Sequence, residues 1–251
     1  MRNTCVAHRG WSGRAPENTM AAFRMAFEAQ DVEWVELDVQ LSKDAVPVII
    51  HDYNLKRTTN GRGEVRDKTA AELSELDAGA WFSPAFRGER IPTLAGVLRE
   101  AKGRCKLNIE LKTDGIRYPF LADKVLELLE AYDTEEFVLT SFDIGTLYRI
   151  RKLSKQVRIG LILDHWRSTL VKELEDLHSD FLSIGHSKLN KARLAELHRA
   201  GTQVMAWTAN EKRTIRKLAS LDPELMICTN FPDRWREVID GRHATDAVQG
   251  R

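Results

Sequence analysis

The sequence has few cysteines, no excess of charge of either sign and no long apolar run, and each absence excludes a class of protein. The three cysteines, Cys5, Cys105 and Cys228, are odd in number and far apart, so they predict neither a disulfide framework nor a paired zinc site. Lys and Arg number 38 and Asp and Glu 37, and the resulting net charge of +1 gives no support to non-specific nucleic-acid binding. No apolar run approaches the roughly 18 residues that a transmembrane helix needs.

The start of the chain shows no secretory signal, because Met1–Thr4 leads directly into a strand-like apolar segment. Isolated thiols are typical of proteins kept in a reducing compartment. The sequence therefore predicts a cytoplasmic protein with no transmembrane segment and no nucleic-acid partner. It makes no prediction about the oligomeric state.

What is present is the composition of a globular protein, with 43% hydrophobic and 30% charged residues. Short β-rich runs alternate with longer amphipathic stretches such as Asn18–Gln30, which places Met20, Phe23 and Phe27 on one helical face. Strands separated by helices predict parallel pairing, since a parallel crossover needs about a dozen residues. The predicted strands are Thr4–His8, Glu33–Leu41, Val46–Ile50, Lys106–Leu111, Phe137–Ser141, Arg158–Leu163, Asp180–Ile184, Gln203–Thr208 and Met226–Thr229. The other predicted helices are Leu94–Ala101, Phe120–Ala131, Ile144–Lys152, Leu170–Leu177, Lys191–Arg199 and Glu211–Leu218.

One connection is too short for a crossover. Only Ser42–Ala45 separate the second and third predicted strands, so Val46–Ile50 should return antiparallel as a hairpin. Eight strands then remain in parallel order, and eight is the number that closes a (β/α)8 barrel. The alternative, an open doubly wound sheet, is not favoured because no Gly-rich phosphate loop follows the first strand. The sequence predicts an α/β fold, a (β/α)8 TIM barrel.

Residues 52–92 interrupt the alternation with several Gly and Pro turn signals and little periodicity. We interpret them as a small insertion subdomain after strand two. The predicted barrel domain thus spans residues 1–239, with the insertion at about 52–92, and a polar C-terminal tail spans residues 240–251. The aromatic residues of the insertion form a local core or line the site; they are Trp81, Phe82 and Phe86.

Acidic side chains cluster at the predicted carboxyl ends of strands, where barrel active sites lie. Residues two apart in a strand share a face, so Glu36 and Asp38 point the same way, as do Glu110 and Lys112. Buried carboxylates are costly unless they are paired or bind a metal. An all-oxygen set predicts one divalent cation, Mg²⁺ or Ca²⁺. The alternative is a set of salt bridges, for example with Arg9.

Two histidines approach the same place. If Leu41 lies opposite Val46, antiparallel counting puts His51 opposite Glu36, facing the acids, although a slip of one residue would turn it away. His8 ends the first strand. Two histidines beside a carboxylate cluster suit general acid–base catalysis, in which one takes a proton and the other gives one.

Two cations complete the predicted site. Arg9 can bind an anion in a bidentate manner, and Lys112 can act as a point charge. With a metal ion they would neutralise a phosphoryl group as charge builds on its oxygens. The residues alone therefore predict metal-assisted hydrolysis of a phosphate ester.

Short motifs also occur in a fixed order along nearly the whole chain. They are His8-Arg9-Gly10, Pro16-Glu17-Asn18-Thr19, Glu36-x-Asp38, His51-Asp52, Arg57-Thr58-Thr59-Asn60-Gly61, Ile91-Pro92-Thr93-Leu94, Glu110-x-Lys112, Ala206-Trp207-Thr208 and Thr229-Asn230-Phe231-Pro232-Asp233. As an ordered set they resemble the glycerophosphodiester phosphodiesterase family, in its single-domain, cytoplasmic bacterial form. Asn230 departs from the pattern, since Asp is expected there at least as often; this position should lie near the rim of the site.

The resemblance implies a TIM barrel with a small insertion that cleaves a small-molecule glycerophosphodiester to glycerol 3-phosphate and an alcohol such as choline or ethanolamine. It also implies a role for each predicted site residue. His8 and His51 are the acid–base pair; Glu36, Asp38 and Glu110 hold the metal; Arg9 and Lys112 meet the phosphate; Trp207 borders the glycerol pocket.

Several alternatives stay open at this point. By analogy with related barrels, His8 is the base and His51 the acid, and the nucleophile is either water or the neighbouring glycerol hydroxyl. Glu17 and Asn18 either face the site or begin a helix, with Asn18 as its N-cap. A lipid-directed, lysophospholipase D-like phospholipase would need an apolar rim, which the aromatic residues of the insertion would supply. A catalytically silent phosphate-binding module is the remaining alternative.

Overall fold

Strands and α-helices alternate through residues 3–249, the part of the chain that this computed structural model describes. Residues 1, 2, 250 and 251, which belong to the predicted ranges 1–239 and 240–251, lie outside the described residues. The strands are β1 (Cys5–His8), β2 (Val32–Leu41), β3 (Pro47–Ile49), β4 (Lys106–Leu111), β5 (Phe137–Ser141), β6 (Ile159–Leu163), β7 (Phe181–Gly185), β8 (Gln203–Trp207) and β9 (Met226–Thr229).

The helices follow the strands in the order that a barrel requires. They are α1 (Met20–Phe27), α2 (Ala70–Ser74), α3 (Leu94–Ala101), α4 (Leu121–Leu129), α5 (Ile144–Leu153), α6 (Leu170–Asp176), α7 (Lys191–Arg199), α8 (Lys212–Leu221) and α9 (Pro232–Gln249). Single 3-10 turns occupy Val65–Asp67, Pro84–Phe86, Thr134–Glu136 and His186–Lys188.

Eight parallel strands close into a barrel, which confirms the predicted fold class. β1 pairs with β2 on one side and with β9 on the other. From β2 the order continues through β4, β5, β6, β7 and β8 to β9, each strand parallel to its neighbours. The fold is therefore a (β/α)8 TIM barrel, and the carboxyl ends of its strands meet at one face.

The alternation of side chains along β2 decides what lies inside the barrel. Leu37 and Val39 face outward and pack in the large apolar core between strands and helices. Trp34 faces inward, into a smaller apolar cluster inside the barrel. Because residues two apart share a face, Glu36 and Asp38 lie on the same inner side as Trp34, further towards the carboxyl end of the strand.

β3 pairs antiparallel with the end of β2, as predicted, but the predicted register is wrong by one residue. Leu41 lies opposite Pro47, whereas the turn length had placed it opposite Val46. Val46 belongs to the turn instead: its carbonyl accepts a hydrogen bond from the Ser42 N–H and its N–H donates to the Ser42 hydroxyl. By strict alternation this slip would turn His51 away from the acids, so another feature must place it.

The insertion that follows the hairpin has a separate aliphatic core. Leu55, Val65 and Leu73 are fully or almost fully buried in it. Helix α2 starts with a capping box, in which the hydroxyl of Thr69 and the carboxylate of Glu72 each accept a backbone N–H of the other residue. The segment thus packs around an aliphatic core that it shares with Val48 and Ile50 of the hairpin.

The aromatic residues of the insertion do not supply this core. Trp81 packs edge to face on Phe82, and Phe82 on Phe86, with ring centroids 5.7 Å apart in both pairs. Trp81 remains 41% exposed. The three rings therefore form a surface cluster, while aliphatic side chains fill the interior.

Helix α1 begins two residues later than predicted. Its N-cap is Thr19, whose hydroxyl accepts a backbone N–H of the first turn, and it ends at Phe27. Asn18 is therefore not the N-cap. Its backbone is left-handed (φ 57°), which frees its side chain to turn towards the barrel.

The last helix, α9, extends from Pro232 to Gln249, so it continues through most of the segment that we expected to be a polar tail. Its first turns pack on the core through Trp235, Val238 and Ile239. Across residues 3–249, no helix combines the length and the apolar character needed to span a bilayer.

Gly10 provides a test of the packing between β1 and α1. Its φ is +77°, and a Cβ atom would lie 2.7 Å from the backbone of Ala22. Gly10→Ala should lower the free energy of unfolding by about 2–5 kcal/mol. This is the sum of the cost of left-handed backbone at an alanine and the cost of overpacking against Ala22. In the matched control Gly103→Ala, φ is +71° but no described atom lies within 4 Å, so a loss of only about 1–2 kcal/mol is expected. Urea unfolding measures both, and equal losses would contradict the packing argument.

Candidate active site

The turn after β1 brings both the backbone and the side chain of Arg9 close to Glu36 and Asp38 of β2. His8 lies beside Glu36 in the parallel register. Arg9 and Gly10 both have left-handed backbone, with φ of 56° and 77°. This conformation costs an arginine roughly 1–2 kcal/mol, and it directs the Arg9 N–H to Oε2 of Glu36 at 2.9 Å.

Three carboxylates meet at the carboxyl ends of β2 and β4. Asp38 and Glu110 lie directly opposite each other, and Glu36 precedes Asp38 on the same face. One oxygen from each of the three lies within 4.8 Å of the other two. Glu36 and Asp38 are buried, and Glu110 is half-buried. The structure thus brings the three predicted metal ligands together.

Both predicted phosphate-binding cations contact this cluster. The Arg9 Nε atom lies 3.1 Å from Oδ2 of Asp38. The Lys112 Nζ atom lies 2.8 Å from Oε1 of Glu110 and 3.8 Å from Oδ1 of Asp38. Two side-chain cations therefore face three carboxylates, and the cluster keeps an excess of acid groups.

Burial and mutual repulsion act on these acids. Burial, with Asp38 and Glu110 nearby, raises the pKa of Glu36 well above its usual value, and burial with the charge of Asp38 also raises the pKa of Glu110. Burial would raise the pKa of Asp38 too, but Arg9 and Lys112 lower it to about 2. The Oδ1 atom of Asp38 is buried without a hydrogen-bond partner among the described residues, as expected of a ligand atom.

His8 is a partly buried histidine with a neutral partner. Its Nδ1 atom lies 2.7 Å from Oδ1 of Asn230, so this nitrogen donates its proton to the amide oxygen. Its Nε2 atom lies 3.8 Å from Oε2 of Glu36. Burial and the charge of Arg9 lower the pKa of His8 to about 4. The imidazole is therefore neutral at physiological pH, with its Nε2 lone pair free.

His51 reaches the site by a route that the predicted register does not describe. Strand β3 ends at Ile49, and one more backbone hydrogen bond follows, from the Ile50 N–H to the Asp38 carbonyl at 2.9 Å. The buried amide Nε2 of Gln40 lies 2.9–3.0 Å from the carbonyls of Ile50, His51 and Asp52. Two amide protons thus serve three carbonyls and fix the path of this loop. Gln40 is held in turn by Tyr118, whose hydroxyl donates to Oε1 of Gln40 at 3.0 Å.

His51 has an anionic partner. Its Nδ1 atom lies 2.6 Å from Oδ1 of Asp52, and Arg57 contacts the same carboxylate. The hydrogen bond from Arg57, followed by that from His51, outweighs burial and holds the pKa of Asp52 well below its usual range. An ionised carboxylate only accepts, so Nδ1 of His51 donates.

Glu17 and Asn18 both face the site. The amide of Asn18 donates to Oδ2 of Asp38 at 2.8 Å. Oε1 of Glu17 accepts from Arg9 at 2.7 Å and from Arg57 at 2.8 Å. Of the two alternatives left open by the sequence, the structure selects contact with the site residues.

A cavity of about 270 Å³ opens above the acids, and seven of the eight predicted site residues line it. The eighth, Asp38, lies beneath with no exposed surface. Trp207 forms one wall, packed edge to face on Phe142 with centroids 6.0 Å apart. The indole Nε1–H of Trp207 is buried and has no partner among the described residues.

Sequence reasoning missed several residues of the site. Asn230 was expected near the rim but hydrogen-bonds His8 directly. Gln40, Asp52 and Phe142 were given no role. Two of them carried a usable signal, since Gln40 continues the alternation of Glu36 and Asp38 along β2, and Asp52 adjoins His51.

Comparisons with known proteins fit this geometry. Residues 8–234 match the Glycerophosphoryl diester phosphodiesterase family. The chain belongs to this family. A glycerophosphodiester phosphodiesterase of Caldanaerobacter subterraneus subsp. tengcongensis is 34% identical over 242 residues, which cover 90% of this chain and 97% of the relative. One of Bacillus altitudinis is 35% identical over 236 residues, 91% and 94% of the two chains.

Solved structures of phosphodiesterases have the same fold. That of an Oleispira antarctica phosphodiesterase in complex with the product sn-glycerol-3-phosphate matches with a TM-score of 0.88 and 32% identity, over 95% of this chain and 97% of the other. The family resemblance of the motifs is therefore confirmed, and membership of the glycerophosphoryl diester phosphodiesterase family makes the chain a phosphoric diester hydrolase.

Proposed function

We propose that this chain hydrolyses glycerophosphodiesters to glycerol 3-phosphate and an alcohol, and that it needs one divalent cation to do so. The observation that carries the proposal is the convergence of Glu36, Asp38 and Glu110 between two cations, with one buried oxygen of Asp38 that has no hydrogen-bond partner among the described residues. The donors are all oxygens, which favours Mg²⁺ or Ca²⁺ over softer metals. When bound, the cation would supply Lewis-acid stabilisation of charge on the phosphoryl oxygens.

Arg9 and Lys112 orient the phosphate in this proposal. Both side chains are mostly buried, with 17% and 13% of their surface exposed, and both line the cavity. A cation in a water-poor cavity stabilises developing negative charge more strongly than the same cation in water. The substrate phosphate would therefore lie between them, above the acids.

The partners of the two histidines support different roles. Asn230 gives His8 a neutral partner and leaves its Nε2 lone pair free, which suits a general base. Asp52 gives His51 an anionic partner, which stabilises the imidazolium that a general acid needs. We assign His8 as base and His51 as acid.

Each bond and proton of the proposed reaction is accounted for. His8 takes a proton from the nucleophile, whose oxygen forms a bond to phosphorus. The bond from phosphorus to the alcohol oxygen breaks, and His51 gives its proton to that oxygen. The nucleophile is water, or the neighbouring glycerol hydroxyl, which forms a cyclic phosphate. In the second case water then opens the ring with the roles reversed: His51 takes the proton of the water and His8 returns its proton to the glycerol oxygen as the bond from that oxygen to phosphorus breaks.

The product bound by the Oleispira antarctica relative supports glycerol 3-phosphate as the product here. Trp207 borders the glycerol pocket in our proposal, because its buried indole N–H lacks a partner among the described residues and can donate to a substrate oxygen. We also propose a cytoplasmic location, because isolated thiols are typical of proteins kept in a reducing compartment. A role in phospholipid-headgroup salvage follows from the proposed substrate class.

One observation favours the lipid-directed, lysophospholipase D-like alternative as a second candidate. Large apolar side chains are exposed at the mouth, on the two connections β4–α4 and β5–α5 and the starts of their helices. Phe142 belongs to this group and also lines the cavity. The group is not the insertion cluster from which we expected a rim. Its members are Ile116, Phe120, Phe142, Ile144 and Tyr148.

Metal removal tests the leading proposal. Treatment with EDTA should abolish release of glycerol 3-phosphate from glycerophosphocholine, and Mg²⁺ or Ca²⁺ should restore it. Either ion should also raise Tm, because it binds only the folded site. The Glu110→Gln variant should lose both the activation and the rise in Tm. The control Glu100→Gln alters a half-buried acid of α3 that pairs with Arg24, and it should keep both effects. Full activity after EDTA treatment would rule out the cation.

The histidine pair can be tested separately. His8→Ala and His51→Ala should each lower kcat by roughly 10²–10⁴-fold with an unchanged circular dichroism spectrum. His165→Ala is the matched control, because His165 also pairs with a neighbouring aspartate but is 61% exposed, and it should keep full activity. Wild-type protein that is inert with both metals would instead favour the silent phosphate-binding module.

Substrate comparison separates the two enzyme candidates. We expect a higher kcat/KM on soluble glycerophosphocholine than on lysophosphatidylcholine vesicles. The opposite order, with losses in Ile116→Ser and Phe120→Ser confined to the lysolipid, would establish the lipid-directed candidate. Leu153→Ser is the control, since Leu153 is 47% exposed at the far end of α5.

A further inference from the structure

A chain of alternating charges connects the insertion to both sides of the site. Asp52 is held by Arg57, with Nε to Oδ2 at 2.6 Å and Nη2 to Oδ1 at 3.0 Å. Arg57 also grips Glu17 with two hydrogen bonds of 2.8 Å. Glu17 accepts the Arg9 guanidinium at 2.7 Å. Two bidentate pairs share Arg57, which restricts the rotation of all three groups.

The two ends of this chain are groups that act on the substrate in the proposed reaction. At one end the carboxylate of Asp52 accepts Nδ1–H of His51 at 2.6 Å. At the other, Arg9 reaches Asp38 with Nε and Glu36 with its backbone N–H. Glu17 and Arg57 hydrogen-bond neither His51 nor the acid cluster, so their hydrogen-bonded connection to the site passes through Asp52 and Arg9.

We propose that Glu17 and Arg57 are positioning residues, which fix the imidazole of His51 and the guanidinium of Arg9 relative to each other. This inference rests on the proposed function, in which His51 protonates the leaving alcohol. It also gives the insertion a role in catalysis, because Arg57 belongs to the insertion. Arg57 completes the orientation of His51, which lies in the loop after the hairpin and is not fixed by the hairpin itself.

The ion pair between Arg57 and Glu17 contributes more to the geometry of the site than to the stability of the fold. The side chain of Arg57 is 44% exposed, and exposed ion pairs contribute at most about 1 kcal/mol. A misplacement of about 1 Å at a reacting group, in contrast, can reduce a rate about 10²-fold. Removing Arg57 should therefore leave the fold intact and affect the step that needs His51.

The first test compares two leaving groups. On glycerophosphocholine, whose alcohol leaves only when protonated, Arg57→Ala should lower kcat about 10–100-fold. On the p-nitrophenyl diester of glycerol 3-phosphate, whose nitrophenolate leaves without a proton, the loss should stay below about threefold. The kcat of Arg57→Lys on glycerophosphocholine should fall between those of Arg57→Ala and wild type, because an ammonium group makes a single contact where the guanidinium makes a bidentate one.

The matched control is Arg66→Ala. Arg66 is another insertion arginine, 47% exposed and paired with Glu64, and its removal should change neither rate. Glu17→Gln should show the same leaving-group selectivity as Arg57→Ala, with a higher KM for both substrates because Arg9 also loses its partner. Equal losses on both substrates, or no loss on glycerophosphocholine, would overturn the proposal.

A second test needs no activity, so its failure is distinguishable from failure of the proposed function. In ¹⁵N NMR spectra of the wild-type protein, the Nδ1 atom of His51 should give the shift of a protonated, hydrogen-bonded nitrogen. In Arg57→Ala this signal should broaden, and its attached proton should lose the downfield shift of a strong hydrogen bond, while His8 keeps its shift. An unchanged His51 signal in Arg57→Ala would refute the positioning role even in an inactive protein.

Discussion

The structure depends on one electrostatic conflict, the placing of three carboxylates at the mouth of a closed barrel. Glu36, Asp38 and Glu110 have oxygens within 4.8 Å of one another, and two of the three residues are buried. Like charges so close are unfavourable unless opposite charge offsets them. The left-handed turn at Arg9 and the placing of Lys112 two residues after Glu110 each bring a cation to this point. The neighbouring loops thus place positive charge beside the three carboxylates.

The fold was predictable because the signals for it are local. A strand of alternating character and a helix of suitable length can be seen in short windows, and the four-residue connection Ser42–Ala45 alone showed that one strand returns antiparallel. The facing of Glu36 and Asp38 follows from the same alternation. What remained unpredictable was the exact turn, because a hydroxyl, that of Ser42, draws Val46 out of the ladder.

The prediction that His51 faces the acids was correct even though the predicted register of β3 was wrong by one residue. The position of His51 does not depend on strand alternation, since β3 ends at Ile49, the last backbone hydrogen bond to β2 is at Ile50, and the buried amide of Gln40 holds the residues that follow. Gln40, which holds this loop in place, lies on the same face of β2 as Glu36 and Asp38. The inner face of one strand therefore supplies two of the three carboxylates and the anchor for the second histidine.

The least predictable feature is the difference between the partners of the two histidines. Asp52 is the sequence neighbour of His51, but Asn230 lies 222 positions from His8 and meets it only because β9 closes the barrel against β1. No local pattern reveals such a contact. Yet this closure gives His8 a partner without charge, since the side chain of Asn230 is an amide where a carboxylate would be anionic. Barrel closure thus gives two otherwise similar side chains partners of different charge, an amide for His8 and a carboxylate for His51.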